Sequence, residues 1–250
     1  MSTVRFPSGV PIPTVMDAST DPYFKTRVSR EALVEGLEFK PQVEGTYPGL
    51  VVLHEAWGLN AQIQEIARRL ACEGYAVILP NLYSRQGGMV TADEEVAHAL
   101  AARTKEADLL QDINSCCEFL NGQARVKQNI HGVIGFAMGG TLALRFACQR
   151  KRLRAAVAFY ARITMPSSML KNLVCPVLYH RAGADSSVTT EEIESLIQAG
   201  TDSGKPVEIK TYANAPPAFC NDTHKEHYRP DAAREAWETT VAFLATRLQA

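Results

Sequence analysis

The most informative strand-end segment of the sequence is Gly135-Phe136-Ala137-Met138-Gly139-Gly140. It follows an apolar strand predicted over residues 131–136 and opens a helix predicted over residues 138–149. Glycines on both sides of a strand-to-helix turn allow a tight reversal that raises one side chain above the sheet. The raised residue would be Ala137, whose methyl group is not a nucleophile. From these six residues alone, a turn that serves packing and a turn that serves function both remain open.

Strand-like and helix-like segments alternate on both sides of this turn. Further apolar strands are predicted at residues 49–54, 76–80, 155–161, 174–180 and 207–212. Amphipathic helices are predicted between them, and a last helix begins near Pro230. This alternation predicts an α/β fold, with a mostly parallel central sheet and helices on both faces.

Length and composition limit the class of protein. The chain has 250 residues, a formal net charge of -1 and 46% hydrophobic residues. Residues 1–22 are rich in Pro, Ser, Thr and Asp, so we expect an irregular arm before a single domain over residues 23–250. The balanced charge argues against a nucleic-acid partner. No apolar run approaches about 18 residues, so no membrane span is expected.

The six cysteines indicate a reducing compartment. They are too sparse for a disulfide framework, and the N-terminus has no secretory signal, so the sequence predicts free thiols in the cytoplasm. Cys116 and Cys117 fall on a helix and are expected to pack in the core. His224 and His227 alone are too few ligands for zinc, so no metal or cofactor is expected. A monomer and a homodimer both remain open.

Motifs at other predicted strand ends add a more specific indication. They are residues 54–60 (HEAWGLN), 80–85 (PNLYSR), 159–161 (FYA), 212–222 and Asp185. In order and spacing, these motifs and the turn at Ala137 resemble the dienelactone hydrolases, or carboxymethylenebutenolidases, over roughly residues 30–248. The resemblance implies an α/β-hydrolase fold and a Cys-His-Asp triad that opens lactone rings.

Two of the three triad positions carry other residues here. The resemblance puts the family's nucleophilic cysteine at Ala137 and its general-base histidine at Pro217, whereas the acid matches Asp185. A methyl group cannot attack a carbonyl, and proline cannot accept a proton. The sequence therefore predicts that the family's covalent mechanism cannot run on these residues. The loss of both residues favours natural divergence over an engineered inactivation.

Other parts of the implied site survive. By position, the family's oxyanion hole corresponds to the backbone N–H groups of Met138 and Ala56, neither of which needs a particular side chain. Glu55 matches the family's buried glutamate beside the nucleophile. If burial raises its pKa, Glu55 could act as a general acid or base. The alternative is a carboxylate that only holds its loop by hydrogen bonds.

The resemblance also implies a substrate pocket. Arg85 matches an arginine that helps to bind the substrate carboxylate, a task suited to a guanidinium. The family's second arginine, shortly after the histidine, is missing. The remaining residues expected at the pocket are Trp57, Tyr83, Ala137, Pro217, Phe219 and Cys220.

Three residues are weaker candidates. His54 could supply the missing base or be a satisfied strand residue, and the same alternatives apply to His180. Cys220 could be a displaced nucleophile or an inert thiol.

Taken together, these residues favour an enzyme that acts without a covalent intermediate on a small carbonyl or lactone compound, anionic or aromatic-derived. An isomerase, cyclase, lyase or water-attack hydrolase would fit. One alternative is a pseudoenzyme that binds a small ligand or a partner protein without turnover. Another is a hydrolase with a displaced nucleophile such as Cys220, or an inactivated variant of a dienelactone hydrolase.

Overall fold

The computed structural model describes residues 1–11 and 31–249 of the protein. Within them, eight strands form one sheet in the order β1-β2-β4-β3-β5-β6-β7-β8. The strands are β1 (Ser2–Pro11), β2 (Glu31–Phe39), β3 (Tyr47–Leu53), β4 (Ala76–Pro80), β5 (Val126–Phe136), β6 (Leu153–Phe159), β7 (Val177–Ala182) and β8 (Val207–Tyr212). Strands β3 to β8 run parallel to one another, whereas β2 is antiparallel to both of its neighbours, β1 and β4.

Helices cover both faces of this sheet. They are α1 (Ala61–Cys72), α2 (Glu94–Ala102), α3 (Glu106–Asn121), α4 (Met138–Ala147), α5 (Ser167–Leu170), α6 (Thr190–Ser203) and α7 (Pro230–Leu244). In β3, Val51 and Leu53 join a core that contains α3, α4 and α6, while Leu50 and Val52 join a second core with α1 and α7. Alternate strand residues therefore face opposite layers. The predicted α/β fold with a mostly parallel sheet is confirmed.

The prediction of an irregular arm over residues 1–22 is wrong for Ser2–Pro11. This segment is an edge strand, and it pairs with β2 from Ser2 opposite Glu38 to Pro7 opposite Leu33. Phe6 stacks on Phe119 of α3, with 4.7 Å between ring centroids. Proline is tolerated here because an edge strand has one side whose N–H groups need no partner. Residues 12–22 of the predicted arm lie outside the described residues.

Local burial agrees with one narrower expectation. Cys116 and Cys117 are buried in the core with α3, α4 and α6, as predicted for that helix. Among the described residues, no helix has the length and apolar character needed to span a bilayer.

The carboxyl ends of the parallel strands bring the sequence motifs to one edge of the sheet. Glu55 follows β3, Asn81 follows β4, Ala137 follows β5 and Tyr160 follows β6. Loops at this edge are where open α/β sheets bind their ligands.

Candidate active site

The turn between β5 and α4 has an unusual backbone at its central residue. Ala137 adopts φ 47° and ψ -112°, a region that side-chain-bearing residues rarely occupy. Its N–H donates to the carbonyl of Phe159 at 3.0 Å, and its carbonyl accepts from the N–H of Thr141 at 3.0 Å. A strained conformation of this kind costs about 1–3 kcal/mol and persists only where its surroundings enforce it.

Close backbone contacts hold this turn in place. A Cβ atom on Gly135 would lie 2.0 Å from the carbonyl oxygen of Gly139, and one on Gly139 would lie 2.5 Å from that of Leu53. Both positions therefore need glycine. Close packing therefore accounts for these two glycines, whether or not the turn also serves function.

Two backbone N–H groups beside the turn are free donors. Met138 is the first residue of α4, and neither its N–H nor that of Ala56 has an acceptor within the part of the chain that the structure describes. The hydroxyl of Tyr83 donates to the carbonyl of Ala56 at 2.9 Å and so fixes one peptide of that loop. Free donors at a helix N-terminus favour negative charge.

Glu55 lies directly before Ala56 and is buried, with only 5% of its surface exposed. Tyr160 donates its hydroxyl to Oε1 at 2.9 Å, and the side-chain amide of Asn221 donates to Oε2 at 3.5 Å. Burial raises the pKa of Glu55, while the hydrogen bonds from Tyr160, Asn221 and Trp57 offset part of that rise. The carboxyl therefore keeps its proton to a higher pH than a free glutamate.

Tyr160 and Asn221 are site residues that sequence reasoning missed. Tyr160 has a positive φ of 38°, and burial, with the charge of Glu55, raises its pKa well above the usual range, so it remains a donor. Asn221 is fully buried, and its Oδ1 accepts from the N–H of Thr223 at 3.1 Å and from its Oγ1 at 2.6 Å. The position of Tyr160 directly after β6 is a signal that could have identified it.

The contacts of both candidate histidines contradict a role as general base. In His54, Nδ1 donates to the carbonyl of Glu55 at 2.6 Å and Nε2 accepts from the N–H of Leu82 at 3.0 Å. His180 bonds the hydroxyls of Tyr212 and Thr240 at 3.0 and 2.9 Å. Burial lowers the pKa of His54 to about 4 and that of His180 to about 3. Both are satisfied core histidines with no ring nitrogen left for a substrate.

Arg85 is engaged away from the expected substrate role. Its guanidinium forms a two-pronged ion pair with Asp112 of α3, including a contact of 2.7 Å to Oδ1, and it also bonds Oγ of Ser8 at 2.9 Å. The Asp112 side chain is only 3% exposed. An arginine that neutralises a buried carboxylate is not available to a substrate carboxylate, so this expectation is contradicted.

Other predicted pocket residues are also structural. Phe219 is fully buried, with its ring 5.4 Å from that of Tyr160 and 4.9 Å from that of Tyr212. Tyr83 is buried as well and uses its hydroxyl on Ala56. Neither offers an exposed surface to a substrate. Pro217 is half-buried in the loop after β8.

Asp185 caps its own loop. Its Oδ1 accepts from the N–H of Ser187 at 2.8 Å, and in the described residues no hydrogen bond joins it to a histidine. The contacts of Asp185 are therefore those of a residue that stabilises its own loop.

Trp57 and Cys220 lie near Glu55. Trp57 is half-buried, and its ring lies 5.0 Å from that of His224. Burial and the nearby charge of Glu55 raise the pKa of Cys220 well above its usual range, so its thiol stays protonated and is a poor nucleophile. Residues 1–11 and 31–249 contain no cluster of three or more His, Cys, Asp or Glu that could hold a metal.

The sheet and the strained turn after β5 together define an α/β-hydrolase-type fold. Comparison with known proteins identifies a family within this fold. The chain belongs to the dienelactone hydrolase family, whose family model matches residues 34–248.

Individual relatives agree with this assignment. A Yersinia pestis protein named "Putative carboxymethylenebutenolidase" is 30% identical over 208 residues, which are 79% of this chain and 77% of that protein. Protein usf of Aquifex pyrophilus is 29% identical over 203 residues, 79% of this chain and 87% of that protein.

Solved structures share the fold at lower identity. A Klebsiella pneumoniae protein described as a "Putative Dienelactone Hydrolase" has a TM-score of 0.79 at 23% identity, covering 98% of this chain and 99% of that one. The dienelactone hydrolase-like promiscuous phosphotriesterase P91 has a TM-score of 0.77 at 21% identity, covering 86% and 93%.

Proposed function

We propose that the protein is an enzyme that acts on a small carbonyl or lactone compound by acid–base chemistry, without a covalent intermediate. The observation that carries this proposal is the buried carboxyl of Glu55, hydrogen-bonded by Tyr160 and directly followed by the free N–H of Ala56. A carboxyl with a raised pKa, next to donors that stabilise an oxyanion, is suited to proton transfer beside a carbonyl.

The reaction would begin when the substrate carbonyl accepts hydrogen bonds from the N–H groups of Met138 and Ala56. Glu55, in its ionised form, would remove a proton from the neighbouring carbon, and the electron pair of that C–H bond would move to the carbonyl oxygen. In a substrate with a β,γ double bond, the electron pair would flow back from the oxygen through that double bond, and Glu55 would return the proton to the γ carbon, which completes an isomerisation. In a substrate without that double bond, the proton would return to the original carbon, with exchange or epimerisation as the result. General acid–base catalysis contributes about 10²–10⁴ in rate, and one oxyanion donor contributes about 10²–10³.

The two triad replacements support a route without an acyl-enzyme. The resemblance assigns the nucleophile to Ala137 and the base to Pro217, and neither side chain can do that chemistry. Cys220 is the alternative nucleophile, but burial and the charge of Glu55 raise its pKa and keep the thiol protonated, which argues against a displaced hydrolase.

The remaining alternative is a protein that binds a small ligand without turnover. Trp57 offers an aromatic surface beside Glu55 in either case. Because Arg85 is bound to Asp112, an anionic substrate loses its expected partner. We therefore extend the proposal to neutral carbonyl compounds.

A panel of lactones, enol lactones and esters tests the proposal. Wild type, Cys220→Ala and the double replacement Ala137→Cys, Pro217→His would be compared by product analysis and by intact-protein mass spectrometry. Turnover by wild type and by Cys220→Ala, with no mass adduct, supports the proposal. An adduct on Cys220 that disappears in Cys220→Ala would establish the displaced nucleophile instead. Binding without turnover in every assay would establish the ligand-binding alternative.

A further inference from the structure

A cavity that Glu55 does not line lies between α1 and α7. Its volume is about 520 Å³, within the range of small-molecule sites. Phe136 and Phe159, stacked at 4.5 Å between centroids, line it on the side of the sheet. Trp237 of α7 and Tyr228 line it from the helix side. Its walls can therefore hold a flat aromatic ring.

One cation in this cavity is positioned but not paired. The guanidinium of Arg69, on α1, lies 3.7 Å from the centroid of the Trp237 ring. Among the described residues it forms no ion pair and no hydrogen bond. Stacking on an aromatic ring restricts an arginine while leaving its in-plane N–H donors free, which suits a carboxylate.

The other charged groups on the cavity leave this role to Arg69. Glu65 is held by two hydrogen bonds from Arg68, at 2.6 and 2.7 Å. Arg234 is paired with the exposed Asp231 at 2.9 Å. Asp222 also lines the cavity, from an exposed position in the loop after β8.

We infer that this cavity is a second binding site, for a small planar aromatic carboxylate. The ring would lie among Phe136, Phe159 and Trp237, and the carboxylate would bind Arg69. Glu55, Ala56 and Met138 do not line this cavity, although Cys220 at its edge lies near Glu55. The inference is independent of the reaction proposed for Glu55.

Titration calorimetry with 2-naphthoate tests the site directly. Its neutral counterpart, 2-naphthylmethanol, and the variants Arg69→Gln and Arg103→Gln serve as matched comparisons, because both arginines are exposed and Arg103, at the end of α2, lies outside the cavity lining. We expect wild type to bind 2-naphthoate with a Kd below about 1 mM. Arg69→Gln should weaken it about tenfold or more, and Arg103→Gln by less than about twofold.

Three results would overturn the inference. The first is no binding of 2-naphthoate by folded wild type, and the second is equal affinity in wild type and Arg69→Gln. The third is affinity that falls in Glu55→Gln but not in Arg69→Gln, which would assign the ligand to the Glu55 site. A loss in Arg69→Gln for the carboxylate alone, with 2-naphthylmethanol unaffected, supports it. Circular dichroism of each variant shows that it is folded.

Discussion

The hydroxyl of Tyr160 donates a 2.9 Å hydrogen bond to the carboxyl of Glu55, across 105 residues of sequence. Both side chains are buried, so the hydrogen bond lies in surroundings where an ionised group has a high free energy. Burial raises the pKa of Glu55 and the Tyr160 hydroxyl lowers it. The balance between these two effects sets how readily Glu55 exchanges a proton.

Tyr160→Phe should raise the pKa of Glu55 further, because it removes a donor that favours the ionised form. The loss of stability should be larger at alkaline pH, where the bond is to a carboxylate and is worth about 1.5–3 kcal/mol. In mild acid, where Glu55 is protonated, it should be smaller. Urea unfolding across pH measures this difference.

Tyr83→Phe is the matched control for that change. It removes a hydroxyl that bonds the uncharged carbonyl of Ala56. Its cost should not vary with pH. If the stability lost in Tyr160→Phe were also independent of pH, the coupling between Tyr160 and the ionisation of Glu55 would be contradicted.

Buried neutral histidines should make the protein acid-sensitive. Burial lowers the pKa of His131 from 6.5 to about 4, with Arg150 adding to the effect, and its Nε2 has no partner among the described groups. Between those pH values the unfolded chain binds more protons than the folded one, so stability falls as pH falls.

His131→Leu should reduce this slope by about 1.4 kcal/mol per pH unit. The free energy of unfolding, measured from about neutral pH down through that window, checks it. His98→Leu, at an exposed position on α2, should leave the slope unchanged. Identical slopes for His131→Leu and wild type would show that His131 is not held neutral.

Ala137→Gly should stabilise the protein by about 1 kcal/mol, because glycine adopts the φ of 47° without strain. The relief of this strain should be larger than the cost of the greater conformational entropy that glycine has in the unfolded chain. Ala143→Gly, inside the same helix α4, should destabilise it by about 1 kcal/mol. Thermal and urea unfolding measure the direction of the stability change in each of the two variants. A loss of stability in Ala137→Gly would mean that the turn is not strained at this residue.

Arg85→Met should destabilise the fold by about 3–5 kcal/mol, because it leaves the Asp112 carboxylate buried without its partner. The double change Arg85→Met, Asp112→Leu should recover much of this loss. A thermodynamic cycle of the four proteins measures the coupling. Unchanged stability in Arg85→Met together with a raised KM would instead restore the substrate role.

The sequence predicts the layers and the turn but not the partners of individual side chains. Alternating apolar strands and helices are local patterns, so the parallel sheet and the Ala137 turn follow from them. The partners of Arg85 do not, because Asp112 and Ser8 come from other elements brought together by packing. Strand β1 was missed for the same reason, since its pairing with β2 overrides a composition typical of loops.

The role of Glu55 itself was predicted only as one of two alternatives. Its position after β3 is visible in the sequence, but its burial and its bond to Tyr160 depend on the neighbouring strand β6. His54 shows the opposite case. Its position is equally suggestive, and its two satisfied ring nitrogens, which only the structure reveals, exclude it as a base.

The most direct test of the central claim is proton exchange beside a carbonyl. Small ketones and enol lactones would be incubated in D₂O with wild type, Glu55→Gln and the control Glu238→Gln, a change at an exposed residue of α7. Proton magnetic resonance would follow the loss of the C–H signal. We predict exchange with wild type and Glu238→Gln, slowed about 10²–10⁴-fold in Glu55→Gln. Equal exchange rates in wild type and Glu55→Gln would contradict the assignment of Glu55 as the acid–base group.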